Sequence, residues 1–116
     1  LRNVFITNLV RCNPRDSAGR NRDPASDEIA NCRSHLEAEL AAVRPQLVVC
    51  LGRIAWRELA GRDALFAPLR PAVIRSKGRL LYPMYHPAYV NRGACSERSY
   101  AKQFALLRRL LAELID

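Results

Sequence analysis

Asn8, His86 and four cysteines are the residues of this 116-residue chain whose types and settings could carry chemistry. Asn8 is a polar amide near the end of the otherwise apolar run Val4–Val10. Placed there, an amide can donate and accept at once, which fits the paired carbonyl and imide N–H of a pyrimidine edge; the plainer reading of the residue alone is an Asn that anchors a loop by satisfying local backbone. His86 follows a second apolar run and precedes Pro87, whose ring fixes the backbone and blocks continuation of a strand. An imidazole on such a rigid loop can stabilise developing negative charge, or be an ordinary strand-end histidine. Cys12, Cys32, Cys50 and Cys95 are widely spread, with no compact Cys-x-x-Cys pair and no other mark of a secreted disulfide scaffold. Structural disulfides are not expected, and Cys50, inside Leu47–Leu51, reads as a buried thiol acting as a small hydrophobe.

The elements that would position these residues follow from periodicity. Val4–Val10 suits a strand buried on both faces. After it, Arg11 to Ser26 places Arg11, Arg15, Arg20 and Arg22 among turn formers with Pro14 and Pro24, so a basic loop is expected at the strand's carboxyl end. Ser26 or Asp27 can cap a helix with Ile29, Cys32, Leu36, Leu40 and Val43 at helical spacing, closed by Pro45. Gln46 to Leu51 reads as a second buried strand, Gly52 as a tight turn, and Ile54 to Leu59 as a short helix stopped at Gly61. Val73–Arg75 and Arg79–Tyr82 flank Ser76-Lys77-Gly78 as a hairpin or as two strands meeting at a turn, the second strand running into Tyr85-His86-Pro87-Ala88-Tyr89. Ser96 to Ile115 reads as a long helix with Tyr100, Phe104, Leu107, Leu111 and Leu114 inward and Arg98, Lys102, Arg108 and Arg109 outward. Strand, helix, strand, helix implies a parallel sheet. In such α/β folds ligands bind beyond the strands' carboxyl ends, which selects Thr7-Asn8, Gly52-Arg53 and His86–Tyr89.

With 49% hydrophobic residues the chain suits one domain with its own core. Nineteen Lys and Arg against eleven Asp and Glu leave a net charge of +8, a balance that favours a polyanionic partner, nucleic acid first, and otherwise serves solubility. No apolar run reaches the roughly 18 to 20 residues of a membrane span, and no secretion signal opens the chain, so a cytoplasmic setting is expected.

Taken in order, Ile6-Thr7-Asn8-Leu9-Val10-Arg11-Cys12, Asn21-Arg22-Asp23-Pro24 through Glu28-Ile29 to Cys32-Arg33, Arg44-Pro45 to Leu51-Gly52, and Tyr85-His86-Pro87-Ala88-Tyr89 resemble the uracil-DNA glycosylases of the iron-sulfur, family-4 type over nearly the whole chain. The resemblance implies a single α/β domain over residues 1–116, a three-layer α/β/α arrangement with a mostly parallel sheet of about four strands and the family's N-terminal strand missing. It further implies that Asn8 reads the uracil edge, that His86 supports glycosidic cleavage, and that Pro87, Ala88 and Tyr89 form a wedge entering the DNA, with Arg92 and the basic loop on phosphates. Cys12 and Cys32 fall where the family places the last two of four cysteines binding a 4Fe-4S cluster. The implied partner is DNA containing uracil, bound by a full-length monomer.

Two departures accompany the resemblance. The family's first two cluster ligands and its water-positioning Gly-Glu-Ala-Pro-Gly type motif precede the Ile-Thr-Asn segment and are not in this sequence, which opens at Leu1 as expected of a piece cut from a longer protein. The stretch between Cys12 and Cys32 is also a few residues longer than usual. Two functions of different class are therefore expected to compete: a glycosylase that flips out and hydrolyses uracil or another deaminated base, and a catalytically inactive DNA- or nucleotide-binding relative. A plain α/β domain with a basic surface is the third reading.

Overall fold

Pro45, which cannot extend the helix before it, also marks where the chain divides. The structure, a computed structural model, describes residues 4–9, 17–19, 23–69, 72–88, 93 and 96–115. It has two compact units, Leu1–Arg44 and Pro45–Asp116.

In the first unit the expected strand at Val4–Val10 is not formed over the described residues 4–9, where Val4, Phe5 and Ile6 are 57%, 55% and 74% exposed. Backbone N–H and C=O groups in an extended run need a neighbouring strand. No other strand is present among the described residues of this unit. Thr7 Oγ1 instead donates to Glu39 Oε1 at 3.0 Å, tying the run to helix α1, Ser26–Val43. The helix starts one residue earlier than a Ser26 or Asp27 cap would set it: Ala25 is the N-cap, and its N–H donates to Glu28 Oε1 at 2.8 Å. This is the reach-back half of a capping box, and with Asp27 it puts negative charge at the helix's positive end. Ile29 and Leu36 are buried, Cys32 and Leu40 half-buried, and Val43 exposed. The helix ends at Arg44, in left-handed conformation, with its N–H on the Leu40 carbonyl.

The second unit is built on a three-stranded sheet. Strands β1 (Val48–Leu51), β2 (Ile74–Ser76) and β3 (Arg79–Met84) lie in the order β1-β3-β2, β1 parallel and β2 antiparallel to β3. The sheet is therefore mixed, with three strands among the described residues, not a mostly parallel sheet of about four. The hairpin follows from Lys77-Gly78, both at positive φ (50° and 77°), the conformation whose twist matches paired strands. Helix α2 (Arg53–Ala60) covers one face: Cys50, Trp56 and Leu81 form a buried cluster there with Val48, Leu59, Phe66 and Ile74 against it. Trp56 satisfies its indole N–H on the Leu65 carbonyl at 3.1 Å. Helix α3 (Glu97–Ile115) covers the other face, where Tyr82, Met84 and Leu107 meet Leu47, Val49, Tyr100 and Leu110. Successive residues of β3 thus feed opposite cores, which explains its continuous burial from Leu81 to Met84. Ser96 Oγ starts α3 by accepting the Ser99 N–H at 3.0 Å.

The inward face of α3 differs from the expected one. Phe104 and Leu111 are 51% and 36% exposed, while Gln103 is 1% exposed. The buried stripe runs Tyr100, Gln103, Leu107, Leu110, Leu114, the same three-and-four spacing turned by part of a residue step, because the Gln103 side-chain oxygen accepts the Tyr85 N–H, which a phenyl ring at that position could not.

Candidate functional site

Parallel pairing of β1 with β3, Leu51 opposite Met84, brings two of the three sequence-selected strand ends side by side. Beyond β1, Gly52 takes φ +98°, donates its N–H to the Met84 carbonyl at 2.8 Å and starts α2 by accepting the Trp56 N–H on its own carbonyl. Beyond β3 come Tyr85, His86, Pro87 and Ala88. The two turns touch: a side chain built on Gly52 would have its Cβ 3.5 Å from His86 Cβ. The third expected location, Thr7-Asn8, belongs to the other unit, where Asn8 is exposed in irregular chain and not at the end of a strand.

His86 is exposed, and its Nδ1 accepts the Ala88 N–H at 3.1 Å. That bond assigns the ring proton of the neutral imidazole to Nε2, so the ring has a single N–H donor left to offer. Pro87 is exposed and Ala88 half-buried; Tyr89 and Arg92 lie outside the described residues, as do Cys12, Cys95 and the arginines of the basic loop.

The residues around His86 are held from three directions. Tyr85 packs edge-on against Phe66, ring centroids 5.8 Å apart at 80°, and the Arg53 guanidinium lies 5.9 Å from the Phe66 ring centroid. This series puts an exposed cation and the positive end of α2 next to the His86 turn, an arrangement suited to an anionic ligand. Tyr85 N–H donates to Gln103 Oε1 at 3.1 Å, and Tyr82 Oη to the Gln103 carbonyl at 3.4 Å. Sequence reasoning missed Phe66 and Gln103. Phe66 sits in a turn-rich stretch without periodicity, whereas Gln103 carried a signal, a polar residue in step with Leu107, Leu110 and Leu114.

The cysteines divide by environment. Cys50 is buried at 1% exposure, as expected, and burial pushes its thiol up to about 12, so it keeps its proton and is a poor metal ligand. Cys32, half-buried on α1, has the access a thiolate ligand needs. Among the described residues no group of three or more His, Cys, Asp or Glu could hold a metal. Cys32 thus has the exposure ligation needs, outside any such group.

The two turns lie side by side beyond parallel strand ends, and the family follows from sequence comparison. Residues 1–114 match the model of the uracil DNA glycosylase superfamily, and the chain belongs to it. The type-5 uracil-DNA glycosylase of Pyrobaculum aerophilum is 38% identical over 97% of this chain and 48% of its own length. The type-4 enzymes of Archaeoglobus fulgidus and Saccharolobus solfataricus are 34% and 32% identical, over 75% and 73% of this chain and 46% and 41% of their own. The chain spans less than half the length of each of these three. Similarity is thus shared between type-5 and type-4 proteins, and the expected family-4 membership broadens to the superfamily. No helix among the described residues is long and apolar enough to cross a membrane.

Proposed function

We propose that this chain carries the base-reading and DNA-wedge residues of a uracil-DNA glycosylase acting on uracil or another deaminated base. The observation that carries the proposal is the His86 turn: an imidazole with Nδ1 engaged by Ala88 N–H, Nε2–H left to donate, beside the Gly52-Arg53 turn in a chain of this superfamily. In the reaction the bond between deoxyribose C1′ and the base nitrogen breaks, its electron pair leaving with the base. Water bonds to C1′ and releases a proton, and the departing base anion gains one. His86 Nε2–H donates to the base oxygen on which charge builds, a stabilisation specific to the transition state. Asn8 reads the carbonyl and imide edge of the flipped base. Pro87, Ala88 and Tyr89 occupy the gap it leaves, at a cost of a few kcal/mol in lost stacking, with Arg92 on a phosphate.

Cys12 and Cys32 supply two thiolates to a 4Fe-4S cluster, which when bound stabilises the surrounding chain; no chemical step passes through it. Iron and sulfide content of anaerobically purified protein, reduced by Cys32→Ala, checks this assignment. The family-4 type, a cytoplasmic setting and a monomeric state belong to the same proposal.

The test is single-turnover excision from uracil-containing single- and double-stranded oligonucleotides by the protein as its gene encodes it. His86→Ala is expected to slow excision about 100-fold while leaving DNA affinity within a few-fold, and Asn8→Asp to weaken discrimination between uracil and cytosine. Binding without excision of any deaminated base would replace the enzyme by an inactive DNA-binding relative.

A further inference from the structure

Buried amides in apolar clusters are costly unless they are hydrogen-bonded, so a glutamine at 1% exposure among Tyr82, Met84 and Leu107 calls for a physical reason. The partners of Gln103 supply one. The peptide unit joining Met84 to Tyr85 is the last but one before His86, separated from it by the Tyr85–His86 peptide alone. Its carbonyl, on the β1 side, accepts the Gly52 N–H at 2.8 Å. Its N–H points the opposite way, toward the side where β2 pairing has already ended at Leu81. Among the described residues no strand residue remains there to receive it, and Gln103 Oε1, brought in from α3, accepts it at 3.1 Å. Both ends of one rigid peptide plane are thereby fixed, one by a backbone group and one by a side chain. The next bond along, Ala88 N–H to His86 Nδ1, sets the ring.

We infer that Gln103 is a positioning residue for His86: by holding the Met84–Tyr85 peptide from α3, it fixes the direction in which the imidazole Nε2–H is presented. The inference rests on the proposed glycosylase reading and assigns a role to a residue on a helix that otherwise contributes only core and a basic surface. Removing the acceptor oxygen frees the Tyr85 N–H to turn, and misplacement of a catalytic group by an ångström costs on the order of 100-fold in rate. Gln103→Met, apolar and of similar length, removes the acceptor. Gln103→Glu keeps an oxygen in place, since a carboxyl buried there takes up a proton and is then close in shape to the amide.

Both variants are made in the full protein, with His86 and again with His86→Ala, and single-turnover excision is measured beside the Kd for the same DNA. Expected are a 10- to 100-fold slower rate for Gln103→Met with His86 present, no further loss in the His86→Ala background, a Kd within about 3-fold, and a rate within about 3-fold of the parent for Gln103→Glu. A Gln103→Met loss of equal size in both backgrounds, or no loss at all, overturns the inference while leaving the glycosylase reading intact. A parent without excision, or a His86→Ala protein as fast as the parent, overturns both. Should Gln103→Met not fold, amide hydrogen exchange at Tyr85 in the unaltered protein decides: strong protection supports the bond, and exchange at the rate of an open loop removes it.

Discussion

Cys50 shows how a residue with chemical potential is taken out of chemistry by its surroundings. At the centre of the α2-side cluster it behaves as a hydrophobe, and desolvation holds its thiol protonated up to about pH 12 against an ordinary value of 9.0. The consequence for stability has a definite sign. Between about pH 9 and 12 the unfolded chain has lost this proton and the folded chain retains it, so the contribution is complete below pH 9 and is lost as pH rises through that window. Tyr82, whose hydroxyl is also raised by burial, acts in the same direction. Cys50→Ala is expected to be less stable than the parent at pH 8, because a core position is emptied. Its further loss between pH 9 and 11, followed by urea denaturation, is expected to be smaller than the parent's; parallel curves would show that the thiol does not govern the alkaline limb.

At the scale of elements, the β1–α2 turn and the β3 end form one structure, and Gly52 is the residue both need. Its φ of +98° is strained for any residue with a Cβ, while the 3.5 Å approach to His86 Cβ is ordinary van der Waals contact. Gly52→Ala therefore loses through backbone conformation and not through a clash. We expect a destabilisation of roughly 1–2 kcal/mol, read from the shift in urea midpoint at constant slope; an unchanged midpoint would mean the turn relaxes freely. Lys77 gives the opposite case. It sits at φ 50° in the hairpin turn, a conformation Asn tolerates better than Lys, so Lys77→Asn should raise stability by about 0.5 kcal/mol in the same assay. These turns were legible in the sequence because Gly52 and Lys77-Gly78 interrupt apolar runs of strand length. The face α3 buries was not, since Phe104 and Gln103 are both compatible with a helical stripe and only the polar groups of the facing strand end distinguish them.

For the whole molecule the governing quantity is the net charge of +8, expressed on α3 by the exposed Arg98, Lys102, Arg108 and Arg109. If these charges serve DNA binding, affinity for an undamaged duplex should fall with salt at a logarithmic slope steeper than about −3, corresponding to several displaced counterions. Fluorescence anisotropy between 50 and 200 mM salt measures it, and a slope near zero would assign the charge to solubility alone. Local order was determined by the sequence itself: α1 up to Pro45, the β1 run and the turn after it, the hairpin, and the start of α3 at Ser96 all follow from short-range periodicity and turn chemistry, and the ordered motifs carried the superfamily. What only the tertiary structure decided concerns groups far apart in the chain. An apolar run at Val4–Leu9 is not a strand where the described residues of its unit hold no strand to pair with it; Gly52 meets His86 because β1 and β3 pair in parallel; and Gln103 is buried because the Met84–Tyr85 peptide has an N–H that no strand among the described residues remains to accept. Each is a matter of which distant group satisfies a backbone hydrogen bond, a condition that short-range sequence pattern does not encode.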